Sequence, residues 1–120
     1  MAVGTGTARR ANRHRGEVEA TIGGEVRILC LTLGALAELE AAFAVDDLQG
    51  LAARFSSGRL KAADMIRVIG AGLRGGGNVF SDEDVAGLDF EGGVAGCAAI
   101  VGRLLEATFA QAAREMPPVP

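Results

Sequence analysis

The chain has 120 residues, a net charge of −3 and a pI near 5.1, so it can form one domain but offers no overall positive charge to nucleic acid or an anionic membrane. Hydrophobic residues make up 49% of it and aromatic residues only 4%, which predicts a thin core rich in alanine and glycine. No apolar run approaches the roughly 18 residues of a membrane span, and the N-terminus lacks the apolar stretch of a signal peptide. We expect a cytoplasmic protein that binds neither nucleic acid nor membrane.

The first segment, residues 1–11, is small, polar and basic and has no apolar periodicity. This composition predicts a disordered arm ahead of a single globular domain at residues 12–115. Basic side chains cluster at the end of the arm and just beyond it: Arg9, Arg10, Arg13, His14 and Arg15. In an acidic protein we interpret this cluster as solvated rather than as a nucleic-acid contact. Deletion of residues 1–11 should leave the melting temperature nearly unchanged.

Residues 17–30 have the pattern of a β-hairpin. Two alternating segments flank a Gly23-Gly24 pair, which is typical of a two-residue turn. The apolar members of the alternation are Val18, Ala20, Ile22, Val26, Ile28 and Cys30. A hairpin alone is barely stable in water, so its apolar face should lie on the helices that follow.

Apolar residues at helical spacing begin after Thr32. They predict a helix over residues 33–44 and a second helix from Asp47 to Phe55, with Asp46 as its capping residue. A third helix should start near Ala62, a short helix should follow Ser81, and a long helix should occupy about 93–114. The proline-rich tail at 116–120 should end the last helix. The predicted fold is α+β and mainly helical, with an N-terminal hairpin packed on about five helices.

The stretch VIGAGLRGGGN, residues 68–78, contains a G-x-G-x-x-G that begins at Gly70. A dinucleotide-binding loop with this spacing requires a preceding strand, a helix that begins within the motif, and a later acidic residue, for which Asp89 has about the right position. However, the residues before the motif have helical spacing, and the three glycines at 75–77 would stop a helix. We interpret the glycines as structural, which leaves nucleotide binding as a remote alternative.

Few residues suggest catalysis or metal binding. His14 is the only histidine, and Cys30 and Cys97 have the spacing of neither a metal site nor a disulfide framework, which predicts buried free thiols. The acidic run at 82–84 is typical of a helix start rather than a cation site. We expect no enzymatic activity, no cofactor and no metal site.

Several short segments occur in an order known from one family: RGE at 15–17, LTLG at 31–34, GRL at 58–60 and LRGGG at 73–77. With their surroundings they resemble the small tail-gene proteins of gene transfer agents and related phages, which are classed as tail assembly chaperones and sometimes labelled tail tube proteins. The resemblance covers residues 12–110. It implies a protein that holds the helical, aggregation-prone tape-measure protein while tube subunits polymerise around it. Such work requires an apolar surface for amphipathic helices and no bond chemistry.

The partners implied by this resemblance are the tape-measure protein, the major tail tube protein or both, and self-association is also open. A structural tail or tube component, which should form rings, is the alternative function. Because one hairpin and one long helix offer limited cover, part of the apolar stripes on the first two helices should stay available to a partner. The candidate residues, each of which also fits an ordinary core position, are Leu36, Leu39, Phe43, Leu48, Leu51 and Phe55.

Overall fold

The computed structural model describes residues 11–12, 15–57 and 60–115. In this part of the chain an antiparallel hairpin of two strands, β1 (Glu17–Ile22) and β2 (Glu25–Cys30), precedes five helices. The helices are α1 (Leu33–Phe43), α2 (Leu48–Ser56), α3 (Ala62–Gly75), α4 (Asp82–Ala86) and α5 (Gly93–Glu115). This architecture confirms the predicted α+β, mainly helical fold.

Most of the predicted arm and the whole predicted tail lie outside the described residues, as do residues 13–14. The predictions for these segments therefore stay predictions. Ala11, the last residue of the arm, is described and donates its backbone N–H to the Glu19 carboxylate at 3.1 Å. The chain is thus attached to β1 before the hairpin begins.

The predicted Gly23-Gly24 pair forms the hairpin turn. Both glycines have positive φ angles, 64° and 81°, which glycine adopts at little cost. A two-residue turn places Ile22 opposite Glu25, and the same register places Val18 opposite Leu29. Residues directly opposite each other share one face of a sheet, so Leu29 completes the inner face that β1 presents to the helices.

The interpretation of Val26, Ile28 and Cys30 as a continuation of that face is wrong. The register places them on the opposite side of the sheet, where Val26 is 66% exposed. Cys30 and Cys97 form no disulfide, but both are half-buried rather than buried. For the β2 residues, including Cys30, the physical reason is the two-residue turn, which fixes which residues of β2 face the core whatever their polarity.

Local capping residues begin three of the helices. Thr32 and Asp47 each accept a hydrogen bond from the backbone N–H three residues later, at 3.1 and 2.8 Å. Ser81 and Asp84 form the predicted reciprocal capping box, with bonds of 3.1 and 3.0 Å. These bonds satisfy N–H groups that a helix leaves unpaired. α2 is capped by Asp47 and not by the predicted Asp46, because the Asp47 carboxylate is the one that reaches the first turn.

The core lies between the inner face of the hairpin and helices α1, α3 and α5, with α2 and α4 adding one large side chain each. Its largest fully buried side chains are Ile22, Leu29, Leu39, Leu51, Val68, Ile69, Leu73, Val85, Val101 and Leu104. Leucine, isoleucine and valine supply all ten of these side chains, and none is aromatic, in keeping with the low aromatic content of the sequence.

The glycine motif lies inside α3, which continues through Gly75 and is capped by Gly76. A Cβ at Gly72 would lie 2.6 Å from the Leu104 side chain of α5, and a Cβ at Gly75 would overlap the Cys30 carbonyl of β2. These glycines therefore allow α3 to approach its neighbours closely. A dinucleotide-binding loop needs a strand before its first glycine, but here helix α3 occupies that place. This supports the interpretation that the glycines have a structural role.

Helix α5 is long and apolar enough, by length and composition alone, to cross a membrane. A window of 18 residues within Gly93–Arg114 has a mean hydropathy of 1.4, so the expectation that no segment approaches such a length is wrong. Alanine, valine and leucine surround the few charges of this helix, which raises its hydropathy. Only 28% of the window is buried inside the structure, although one face of α5 supplies the core residues Val101 and Leu104. A core helix meets the same test of length and composition.

Candidate functional site

A groove lies where the first turns of α1 and α2 meet the end of α5. Its volume is about 480 Å³, within the roughly 300–1,000 Å³ of typical binding pockets. Four leucines form its apolar walls, and one of its described lining residues is charged. The lining residues are Arg15, Cys30, Leu31, Thr32, Leu33, Leu36, Leu48, Thr108, Gln111 and Ala112.

Leu33 is the exposed apolar residue of this groove. It is the first residue of α1, directly after the capping Thr32, and 85% of it is exposed. Leu31 and Leu36, which line the same groove, are buried. The apolar surface therefore continues from an exposed leucine into the core, as expected of a surface that binds an apolar partner.

The six contact residues predicted from the sequence separate into two groups. Three are core residues: Leu36, Leu39 and Leu51. Three are half-buried: Phe43, Leu48 and Phe55. Two of the six line the groove: Leu36 and Leu48. The structure thus brings part of the predicted set to one surface, and partner binding by any of them stays a prediction.

The remaining members of the set hold α1 and α2 together. The Phe43 and Phe55 rings pack edge to face, with centroids 5.3 Å apart, a favourable geometry for aromatic pairs. Leu39 and Leu51 are fully buried, which corrects the expectation that they are available to a partner in the folded chain. We expected only the hairpin and α5 to bury these side chains, whereas α1 and α2 also pack against each other.

Arg54 fastens α2 to α3. Its guanidinium lies 5.0 Å from the centre of the Phe43 ring and pairs with the buried Asp64 at 3.3 Å. Asp64 also accepts the Lys61 backbone N–H at the start of α3. Because these contacts link two helices and the chain between them, the residues around Arg54 stabilise the packing of the helices.

Arg15 lines the groove, although the sequence predicted only a solvated basic cluster around it. The adjacent Gly16 has a φ of 75°, and a Cβ there would lie 2.7 Å from the Gln111 Oε1 atom of α5. The positive φ favours glycine at this position, whereas the close Gln111 atom ends a flexible side chain that can move aside. The sequence signal that could have indicated the position is the RGE segment at 15–17, whose glycine follows the arginine.

The backbone of Arg15 is fixed on both sides. Its N–H donates to the Asn12 carbonyl at 2.9 Å, and its carbonyl accepts a weak hydrogen bond from the Cys30 thiol at 3.7 Å. None of the ion pairs formed among residues 11–12, 15–57 and 60–115 involves Arg15, and its side chain is exposed. The groove thus carries one positive charge with no ionic partner in the described part of the chain.

The acidic run at 82–84 has the role in helix initiation predicted for it. Asp84 belongs to the capping box of α4, and Asp82 pairs with Arg74 at 3.1 Å. Arg74 also pairs with Glu38 of α1 at 2.5 Å, so one guanidinium links α1, α3 and α4. No group of three or more histidine, cysteine or acidic residues in the described chain is placed to hold a metal ion.

The fold defines a small α+β domain with a leucine-walled groove. A family profile described as phage tail tube protein GTA-gp10 matches residues 15–111, and the chain belongs to that family. The match begins at Arg15 and ends at Gln111, two residues that line the groove. No curated protein and no solved structure matches significantly. The family confirms the resemblance to tail proteins of gene transfer agents and phages.

Proposed function

We propose that this protein is a tail assembly chaperone that holds the tape-measure protein in its groove while tail tube subunits assemble. Membership of a phage tail family supports a role in tail formation. The observation that carries the finer proposal is the leucine-walled groove with Leu33 exposed at 85%. A long helical partner presents apolar side chains one turn apart, and a groove of this kind accepts them without catalysis or a cofactor.

Leu33 offers a way to separate binding from folding. Full burial of a leucine side chain in an interface contributes about 1.5–3 kcal/mol, and a well-placed anchor typically costs about 2 kcal/mol or more when truncated. The exposed Leu33 contributes little to the core, so a polar residue there should leave the fold intact. Leu36 is less suitable because it is buried and its truncation would also destabilise the protein.

The test is co-expression with the tape-measure protein encoded in the same tail-gene cluster. Wild type should co-purify with that protein and keep it soluble, whereas Leu33→Ser should lose most of both effects. Val79→Ser is the matched control, because Val79 is 96% exposed and does not line the groove. If wild type neither co-purifies with the tape-measure protein nor keeps it soluble, the chaperone proposal fails. If Leu33→Ser and Val79→Ser both behave as wild type, the groove is the wrong surface.

A structural tail tube subunit is the second candidate, because the description of the family names a tail tube protein. A tube subunit should assemble into stable rings, and light scattering after size-exclusion chromatography measures this directly. Hexamers that persist on dilution would favour the tube subunit. Monomers or small concentration-dependent oligomers that bind the tape-measure protein would favour the chaperone.

A further inference from the structure

We infer that the groove selects a partner segment with a carboxylate beside its apolar anchor, and that Arg15 binds this carboxylate. This inference rests on the proposed function and adds the chemistry of the partner. The leucine walls define where an apolar side chain enters. Arg15, the charged residue beside these walls, favours a carboxylate close to that side chain.

The charge of the groove is opposite to that of the whole protein. The chain has a net charge of −3, yet the described lining residues include one arginine and no acidic residue. α1 also begins at the groove, and its first turn contains no acidic residue. The partial positive charge of a helix N-terminus adds to that of Arg15. The C-terminal end of α5 adds a smaller, opposite partial charge, so the full charge of Arg15 is what attracts a carboxylate and repels a lysine.

The backbone of Arg15, though not its exposed side chain, is held in place before a partner arrives. Its backbone is fixed by the bonds to Asn12 and Cys30, and Gly16 packs against α5. A guanidinium can donate two parallel hydrogen bonds to a carboxylate, and a fixed backbone lowers the entropy lost on binding. The Thr108 hydroxyl does not compete for this role, because it already donates to the Leu104 carbonyl at 2.6 Å.

The size of the groove limits the spacing between anchor and carboxylate. A compact groove with a volume of about 480 Å³ extends on the order of 8 Å. This length equals about one to two turns along the axis of an α-helix. The acidic residue should therefore lie about three to seven positions from the anchoring leucine along a helical partner. Segments with lysine or arginine at these positions should bind more weakly.

The test uses synthetic 20-residue peptides that tile the tape-measure protein encoded in the same gene cluster. Their affinities for the full-length protein are measured by fluorescence anisotropy at low and at physiological salt. Arg15→Gln is compared with Arg67→Gln, since Arg67 is an exposed arginine on α3 outside the groove. The peptides that bind best should carry Asp or Glu at the stated spacing. Arg15→Gln should lower the affinity for these peptides about threefold to fivefold, as expected for a partly exposed ion pair.

A double-mutant cycle tests whether the carboxylate and Arg15 contact each other. Replacing the peptide carboxylate with its amide should weaken binding to wild type, but should have little further effect on Arg15→Gln. The affinity for wild type should also fall more steeply with salt than the affinity for Arg15→Gln. If no peptide binds, the proposed function and this inference both fail. If peptides bind and Arg15→Gln matches Arg67→Gln, only the inference fails.

Discussion

Alanine substitutions at two helical glycines should change stability in opposite directions. Gly75 is the last residue of α3, and Gly102 lies in the middle of α5. A Cβ at Gly102 would meet nothing within 4 Å, whereas a Cβ at Gly75 would overlap the backbone carbonyl oxygen of Cys30. The two sites share a helical conformation and differ in what the added methyl group contacts, so the pair isolates the effect of the contact between α3 and β2.

The magnitudes follow from two opposing terms. Replacing glycine with alanine inside a helix contributes about 0.5–1 kcal/mol of stability. Gly102→Ala should gain this amount in full, which raises the melting temperature by about 2–6 °C for a domain of this size. Gly75→Ala gains less at a helix end and suffers overpacking, which typically costs about 1–3 kcal/mol. Because the obstacle is backbone that no rotamer change can move, we expect a net loss of about 2 kcal/mol.

Urea unfolding followed by circular dichroism at 222 nm measures both effects, provided that the m-values agree with wild type. Gly75→Ala with the stability of wild type or more would refute the argument that this glycine is required for helix–strand contact. Gly102→Ala serves as the control. A loss of stability in Gly102→Ala would show that alanine does not stabilise this helical position relative to glycine.

Two further predictions concern single side chains. Asp64 is buried, pairs with Arg54 and accepts the Lys61 N–H, so Asp64→Asn should destabilise the protein by about 1–3 kcal/mol; an unchanged urea midpoint would contradict this. Burial raises the pKa of the Cys97 thiol above its ordinary value, so less of it is thiolate at pH 8. In a Cys30→Ser variant, Cys97 should react with a disulfide reagent more slowly at pH 8 than the cysteine of a short peptide does. The difference between the two reaction rates should become smaller as the pH rises through the raised pKa of Cys97. Equal rates at pH 8 would show that burial does not control this thiol.

The helix boundaries could be predicted because the interactions that set them are local. The capping bonds of Thr32, Asp47 and Ser81 each span three residues, so short sequence patterns contain both partners. The same is true of the hairpin turn, where two adjacent glycines supply the positive φ angles. Asp46 and Asp47 both fit the capping pattern, and the geometry of the folded chain selects Asp47.

The inner face of β2 was predicted wrongly because alternation alone was used. The turn places Arg27 on the inner side, opposite Ala20, where a charged residue is not expected from the pattern. Its guanidinium lies 4.8 Å from the centre of the Phe80 ring, a favourable cation–π contact. Phe80 is distant in the sequence, so the pattern within the strand contains no sign of this partner.

The sequence by itself determined the class of fold, the order of the elements, the structural role of the glycines and the family. Each depends on spacing or on motifs within short segments, where propensity and patterning act directly. The tertiary structure decided which apolar residues form the groove. Leu33 and Leu39 belong to the same predicted helix, yet one is exposed and the other buried. Periodicity defines the apolar side of a helix, but how much of it is covered depends on distant segments, and these also bring Arg15 and Gln111 together.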